Sequence, residues 1–182
     1  MLRGPPADLI ALRLWFYENR WNLAGFVEDD PEQVEIAWMR SAIETRVSYL
    51  DDERLGQVFF VVWGRQQRAV VETLRAAFDG VDPIEVLAAA PSAASDRAVQ
   101  AIRAGLVATW PEHRARATEI LVGASYAADA EVRRAAARGM LWALDPARIP
   151  RLQALADGDP DPDVRRAAVD AIDELSLLDE IR

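Results

Sequence analysis

The sequence predicts an all-α fold: a short α-solenoid of helical hairpins preceded by an aromatic-rich N-terminal helical region. Three observations carry this. Apolar residues recur every three or four positions through most of the 182 residues, the spacing that places them on one face of a helix. Asp-Pro pairs punctuate the chain where helices should begin. A nine-residue segment recurs 32 residues after its first appearance.

In chain order, ten of the fourteen aromatic residues lie before residue 65, within the first region, 1–90. The longest apolar run, Val58 to Trp63, is embedded in a wider spacing of Leu55, Val58, Phe59, Val62, Gln66, Val70, Leu74 and Phe78. That spacing predicts a helix. The run alone, rich in β-branched and aromatic residues, would also suit a buried strand. Asp30-Pro31, Asp82-Pro83 and Asp161-Pro162 each offer a carboxylate to cap a helix and a proline at its first position, with an acidic or amide residue following. Asp145-Pro146 does the same without the acid. Nine helices and no strand are expected, with a junction in the Ala-, Pro- and Ser-rich segment 88–95 separating the first region from a second at 91–182.

The repeat lies in the second region. Asp129-Ala-Glu-Val-Arg-Arg-Ala-Ala-Ala returns as Asp161-Pro-Asp-Val-Arg-Arg-Ala-Ala-Val, identical at six of nine positions. A period of this size is the mark of stacked helix pairs, each burying a face that one unit alone leaves open. Asp129 should cap, Val132, Ala136, Met140 and Ala143 should face inward, and the alanines should let helices approach closely.

The strings DAEVRRAAARGMLWAL and DPDVRRAAVDAIDEL, joined by DPARIPRLQALADGD, resemble the short bacterial HEAT repeats of the phycobilisome-lyase type over 129–178. One unit earlier, Ser95 to Ala127 fits the helix pair but carries Gln100 where the arginine would stand. The resemblance implies a fold and not a role, since HEAT repeats serve many functions. Bilin lyases share the repeat, yet a chromophore role follows from that analogy alone. In such repeats an arginine near the helix start is expected to pair with the acidic turn of the neighbouring unit. The competing reading is a ridge formed by Arg133, Arg134, Arg138, Arg165 and Arg166 that recognises a carboxylate or phosphate.

Composition narrows the chemistry. With no cysteine there are no disulfides, thiolate ligands or cysteine nucleophiles. All 21 basic residues are arginine, which together with the alanine content suggests a GC-rich bacterial genome. Net charge is −9, divided as −6 over 1–90 and −3 over 91–182, so neither half is basic. No apolar stretch reaches membrane-spanning length and the N-terminus lacks a signal-peptide core, which makes the cytoplasm the expected compartment. His113 is the single histidine, without a serine motif or cysteines to make a triad or zinc site. No Walker or dinucleotide-binding glycine loop is present. Asp157 to Asp163 alternates aspartates as an EF-hand opens, but Pro162 and Ala168 stand where that loop needs Gly and Glu. An enzyme is therefore disfavoured, and no catalytic residue, cofactor or metal is expected.

These readings favour a protein-binding adaptor or assembly factor that uses a rigid helical surface. Trp15, Trp21 and Trp38 are candidates for a hydrophobic anchor site or a homodimer interface, although helical spacing also suits them to a core. The alternative is a nucleic-acid-binding HEAT protein of the DNA alkylation-repair type. The acidic balance opposes it, since phosphate contacts carry much of such binding. The arrangement of the arginines discriminates: gathered on a concave face they favour nucleic acid, interleaved with acids they favour the adaptor.

Overall fold

Four antiparallel strands stand where the sequence predicts helices. In the structure, a computed structural model that describes residues 8–30, 33–52 and 57–180, β1 (Asn22–Asp30), β2 (Gln33–Arg40), β3 (Thr45–Asp52) and β4 (Gln57–Gly64) form one sheet in the order β1-β2-β3-β4. The chain is thus mixed α and β, and the all-α expectation is corrected. The described residues contain eight α-helices rather than nine.

The chain separates into two units, up to Val81 and from Asp82. In the first, α1 (Leu9–Glu18) precedes the sheet and α2 (Gln67–Ala77) follows it. Asp8 starts α1 by accepting from Ile10 N at 2.7 Å. Arg20, in the left-handed region at φ 61, turns the chain back so that Trp21 N reaches Phe16 O at 2.9 Å. Leu12 and Phe16, one turn apart, are buried with Ile36, Trp38, Val47, Tyr49 and Val58 of the sheet and with Val70 and Leu74 of α2. Register explains the arrangement: Ile36 lies opposite Tyr49, Trp38 opposite Val47, and Tyr49 opposite Phe60. Alternate residues of each strand therefore share the face that meets the helices.

Two physical reasons account for the misread segment. Val58 belongs to that core, while Phe59, on the opposite face, is only 1% exposed. A strand buried on both faces loses its period-two pattern and reads as continuous apolar sequence. Leu55 lies outside the described residues. Likewise Asp30 closes β1 and pairs with Gln33, which opens β2, so Asp30 caps no helix; Pro31 and Glu32 are outside the described residues.

The second unit contains α3 (Pro83–Ala88), α4 (Ala94–Val107), α5 (Arg114–Ser125), α6 (Ala130–Trp142), α7 (Ile149–Gly158) and α8 (Pro162–Glu180). Helix α6 packs between α4 and α8, α5 covers α4 and α6, and α7 lies against α8. Three aspartates act as the sequence predicts. Asp82 accepts from Ile84 N, Asp129 from Glu131 N and Val132 N, and Asp161 from Asp163 N and Val164 N. Val132, Ala136, Met140 and Ala143 are buried. Leu121, Met140, Leu152, Val164 and Leu175 form one core with a floor of alanines.

Candidate interaction surface

The repeat motif places Arg133 one turn into α6, where its guanidinium meets the turn that precedes α8. Nε donates to Asp159 Oδ2 at 2.7 Å and Nη2 to Oδ1 at 2.9 Å, a two-pronged pair. Nη1 donates to the carbonyls of Ala127 and Ala128 at 3.0 and 2.7 Å. The side chains of Arg133 and Asp159 are 12% and 3% exposed. Hydrogen bonding to Arg133 holds the Asp159 carboxyl below the usual range against the opposing effect of burial, and the same bond raises the arginine.

Arg165 repeats half of this arrangement. Its Nη1 donates to the carbonyls of Asp159 and Pro160, six and five residues earlier, at 2.7 and 3.2 Å. Those are the offsets at which Arg133 holds Ala127 and Ala128. Asp159 therefore serves both units: its side chain accepts from Arg133 and from Asp161 N at 3.0 Å, and its carbonyl accepts from Arg165. Arg134 and Arg138 are half-buried and Arg166 is exposed. Gln100, at the arginine position one unit earlier, donates Nε2 to the carbonyls of Val86 and Ala89. The turn position matching Asp159 is there Ala127, so both halves of the charged pair are absent together.

A second arginine site escapes the repeat pattern. Arg151 of α7 donates to Ser125 Oγ at 2.8 Å and Ser125 O at 2.6 Å, and its Cζ lies 3.7 Å from the centre of the Tyr126 ring. Nothing in a lone arginine two residues into α7 announces this; the pairing depends on where α5 ends.

The other candidates divide by burial. Trp21 and Trp38 are 6% and 2% exposed, and Trp38 stacks on Phe16 with ring centres 4.0 Å apart and planes at 4°. Trp15 is half-buried, edge-on to Phe78 at 5.0 Å. The three tryptophans line the core of the first unit. Exposed apolar surface lies instead on α1, where Ile10, Leu14 and Tyr17 are 75%, 52% and 78% exposed at spacings of four and three residues. At one end of the sheet, Met39, Ser41, Glu44, Arg46, Trp63 and Gly64 line an open cavity of about 360 Å³. Arg46 lies 5.6 Å above the Trp63 ring and pairs with Glu35 at 3.1 Å.

His113 precedes α5 and stacks on Trp110, with ring centres 5.9 Å apart. Three of the four aspartates of 157–163 face protein donors: Asp157 accepts from Gln153, Asp159 from Arg133, and Asp161 from its own helix start. Among the described residues no group of three His, Cys, Asp or Glu could hold a metal ion, and no helix is long and apolar enough to cross a membrane.

Helix α6 lies between α4 and α8, and α6 and α8 begin at aspartate caps 32 residues apart. A family model described as HEAT repeats matches residues 117–180, from within α5 through α8. The match supports a HEAT-like repeat protein and does not extend to the phycobilisome-lyase type. Neither the curated proteins nor the solved structures yield a match to this chain.

Proposed function

We propose that this protein is a non-enzymatic protein-binding adaptor or assembly factor. The observation that supports this reading is how the repeat arginines are used. Arg133 is committed to the Asp159 carboxylate, Arg165 to the carbonyls of Asp159 and Pro160, Arg148 to Asp145 at 3.1 Å, and Arg116 to Glu119 at 2.8 Å. Cations interleaved with acids leave little field to gather phosphates. They do make a stiff surface on which a protein can dock. The exposed stripe of Ile10, Leu14 and Tyr17 supplies an apolar surface with the spacing by which one helix meets another.

The test is affinity capture from host lysate with and without nuclease, read by mass spectrometry, using the full chain and its Leu14→Glu variant. The expected result is a stoichiometric protein retained after nuclease and reduced by Leu14→Glu. Recovery that disappears with nuclease, or the absence of any retained protein, overturns the reading.

A further inference from the structure

We infer that the protein self-associates through β4, whose accessible half pairs antiparallel with β4 of a second copy and continues the sheet across a two-fold axis at Val62. The two edges of the sheet are built differently. β1 is interrupted by register shifts between Leu23 and Gly25 and between Val27 and Asp30, and it ends in Glu28-Asp29-Asp30. Bulges and charges of this kind keep an edge from pairing with another chain. β4 has neither device. Its register against β3 runs unbroken from Gln57 to Gly64, and it is the one strand of the sheet without a charged residue. Among the described residues no strand lies beyond it, and no backbone hydrogen bond outside the helices and strands falls on 60–64. Its side chains are buried from Gln57 to Phe59, half-buried from Phe60 to Val62 and exposed at Trp63 and Gly64. The accessible part is therefore its second half.

The order of residues in that half fits a second copy of itself. Phe60 and Val62 pack against the core between sheet and helices, so Val61 and Trp63 belong to the other face. Residues opposite one another in a continuous antiparallel sheet share a face, which sets the two-fold axis perpendicular to the sheet. With Val62 on that axis, Val61 of each copy lies opposite Trp63 of the other, and Phe60 opposite Gly64. Val61 with Trp63 is an aromatic–β-branched pair, a favourable cross-strand combination, and the symmetry forms it twice. Trp63 is 46% exposed with Arg46 over its ring, and the second copy's Val61 covers its open side. A chain of net charge −9 repels its own copy over most of its surface; along β4 no like charges meet. The inference stands apart from the adaptor reading, which concerns α1 and the repeat.

The test is analytical sedimentation of the full chain over a concentration series, with Val61→Lys, Trp63→Glu and the double variant alongside. The unaltered chain should dimerise. Each single substitution should weaken the dimer by about tenfold or more, and the double variant should restore it, because the two new charges then face each other across the axis. Thermal melts follow the fold throughout, and Trp63→Glu, at the more exposed position, decides the matter if Val61→Lys disturbs it. The chain has no cysteine, so Val62→Cys reports the axis directly. Mild oxidation should link it to its own copy, whereas Leu23→Cys, exposed on the β1 edge, should remain unlinked. A monomer at every concentration up to millimolar, a dimer that Trp63→Glu leaves intact, or cross-linking at Leu23→Cys as fast as at Val62→Cys would each overturn the inference. A dimer broken by Leu14→Glu and not by Trp63→Glu would do the same and would assign the association to α1.

Discussion

Gly105 of α4 rests directly against the backbone of Gly139 of α6: a Cβ added to Gly105 would sit 2.1 Å from the Gly139 carbonyl oxygen. A Cβ on Gly139 would in turn meet the Ala101 carbonyl and Leu121 Cδ2, each at 2.6 Å. The two helices therefore touch main chain to main chain. Neither neighbouring carbonyl can move aside without shifting a whole helix.

Gly105→Ala should accordingly destabilise the second unit by about 3 kcal/mol, the range of an overpacked core with backbone shift. Gly123→Ala, in α5, is the matched control. There a Cβ meets nothing within 4 Å, and removing a helix-interior glycine should stabilise by about 0.5–1 kcal/mol. Chemical denaturation of the two variants should give shifts of opposite sign; equal shifts would refute the close approach.

Val164, fully buried in the core under α8, tests the repeat more directly. Val164→Asp would place a carboxylate in a core of apolar side chains, at a cost of at least about 3 kcal/mol. The second unit should lose its cooperative thermal transition. An unchanged melt would argue against the stacked arrangement.

Acid should act on the second unit through the Arg133–Asp159 pair. The folded-state pKa of Asp159 is lowered, chiefly by its hydrogen bond to Arg133. The contribution is therefore complete above the unfolded-state value near about pH 4 and is lost as pH falls through the lower folded value. Asp159→Asn should lower stability at neutral pH and flatten its decline over that acid window, as measured by urea midpoints across a pH series.

Alkali should act on the first unit. Tyr49 is held neutral by burial, with the nearby Asp51 charge adding to the effect, and its pKa is pushed up to about 12. A raised folded-state value means stability that is full below the ordinary value of about 10 and lost as pH rises through the folded one. Tyr49→Phe should abolish the loss between those limits, and the tyrosinate absorbance at 295 nm should report the titration.

The second unit was legible because its signals are local. A carboxylate, a proline and an alanine pair at fixed offsets specify a cap and a helix face without reference to distant residues, and Asp129 and Asp161 both cap as expected. The sheet was harder to read. In β2 only Glu35 interrupts the apolar run of Val34, Ile36, Ala37, Trp38 and Met39, and Ala37 is as buried as its neighbours, so the period-two signal is weak there. In β4 the signal is erased, because Phe59 is as buried as the residues facing the helices. Asp30-Pro31 has the composition of a helix start, yet Asp30 closes a strand; turn residues do not declare what they connect. Arg133 was foreseen to meet an acidic turn, whereas Arg151 with Ser125 and Tyr126 required the packing of α7 beside the end of α5. The tryptophans were conspicuous by type, but only the packing of α1 on the sheet, which stacks Trp38 on Phe16, reveals that Trp21 and Trp38 are interior.

Asp159 gives the repeat a thermodynamic property that neither helix has alone. Since one residue accepts from both Arg133 and Arg165, losing the order of its turn removes a partner from α6 and α8 at once. The coupling is a nearest-neighbour term in the free energy of the stack. It binds these two helices into one cooperative unit of opening, so their slowest amides should exchange with a shared free energy. Helix α4, whose Gln100 stands in place of the arginine while Ala127 stands in place of the aspartate in the turn before α6, is joined to that unit by backbone contact at Gly105 instead, a link without charge and therefore one that acid leaves in place.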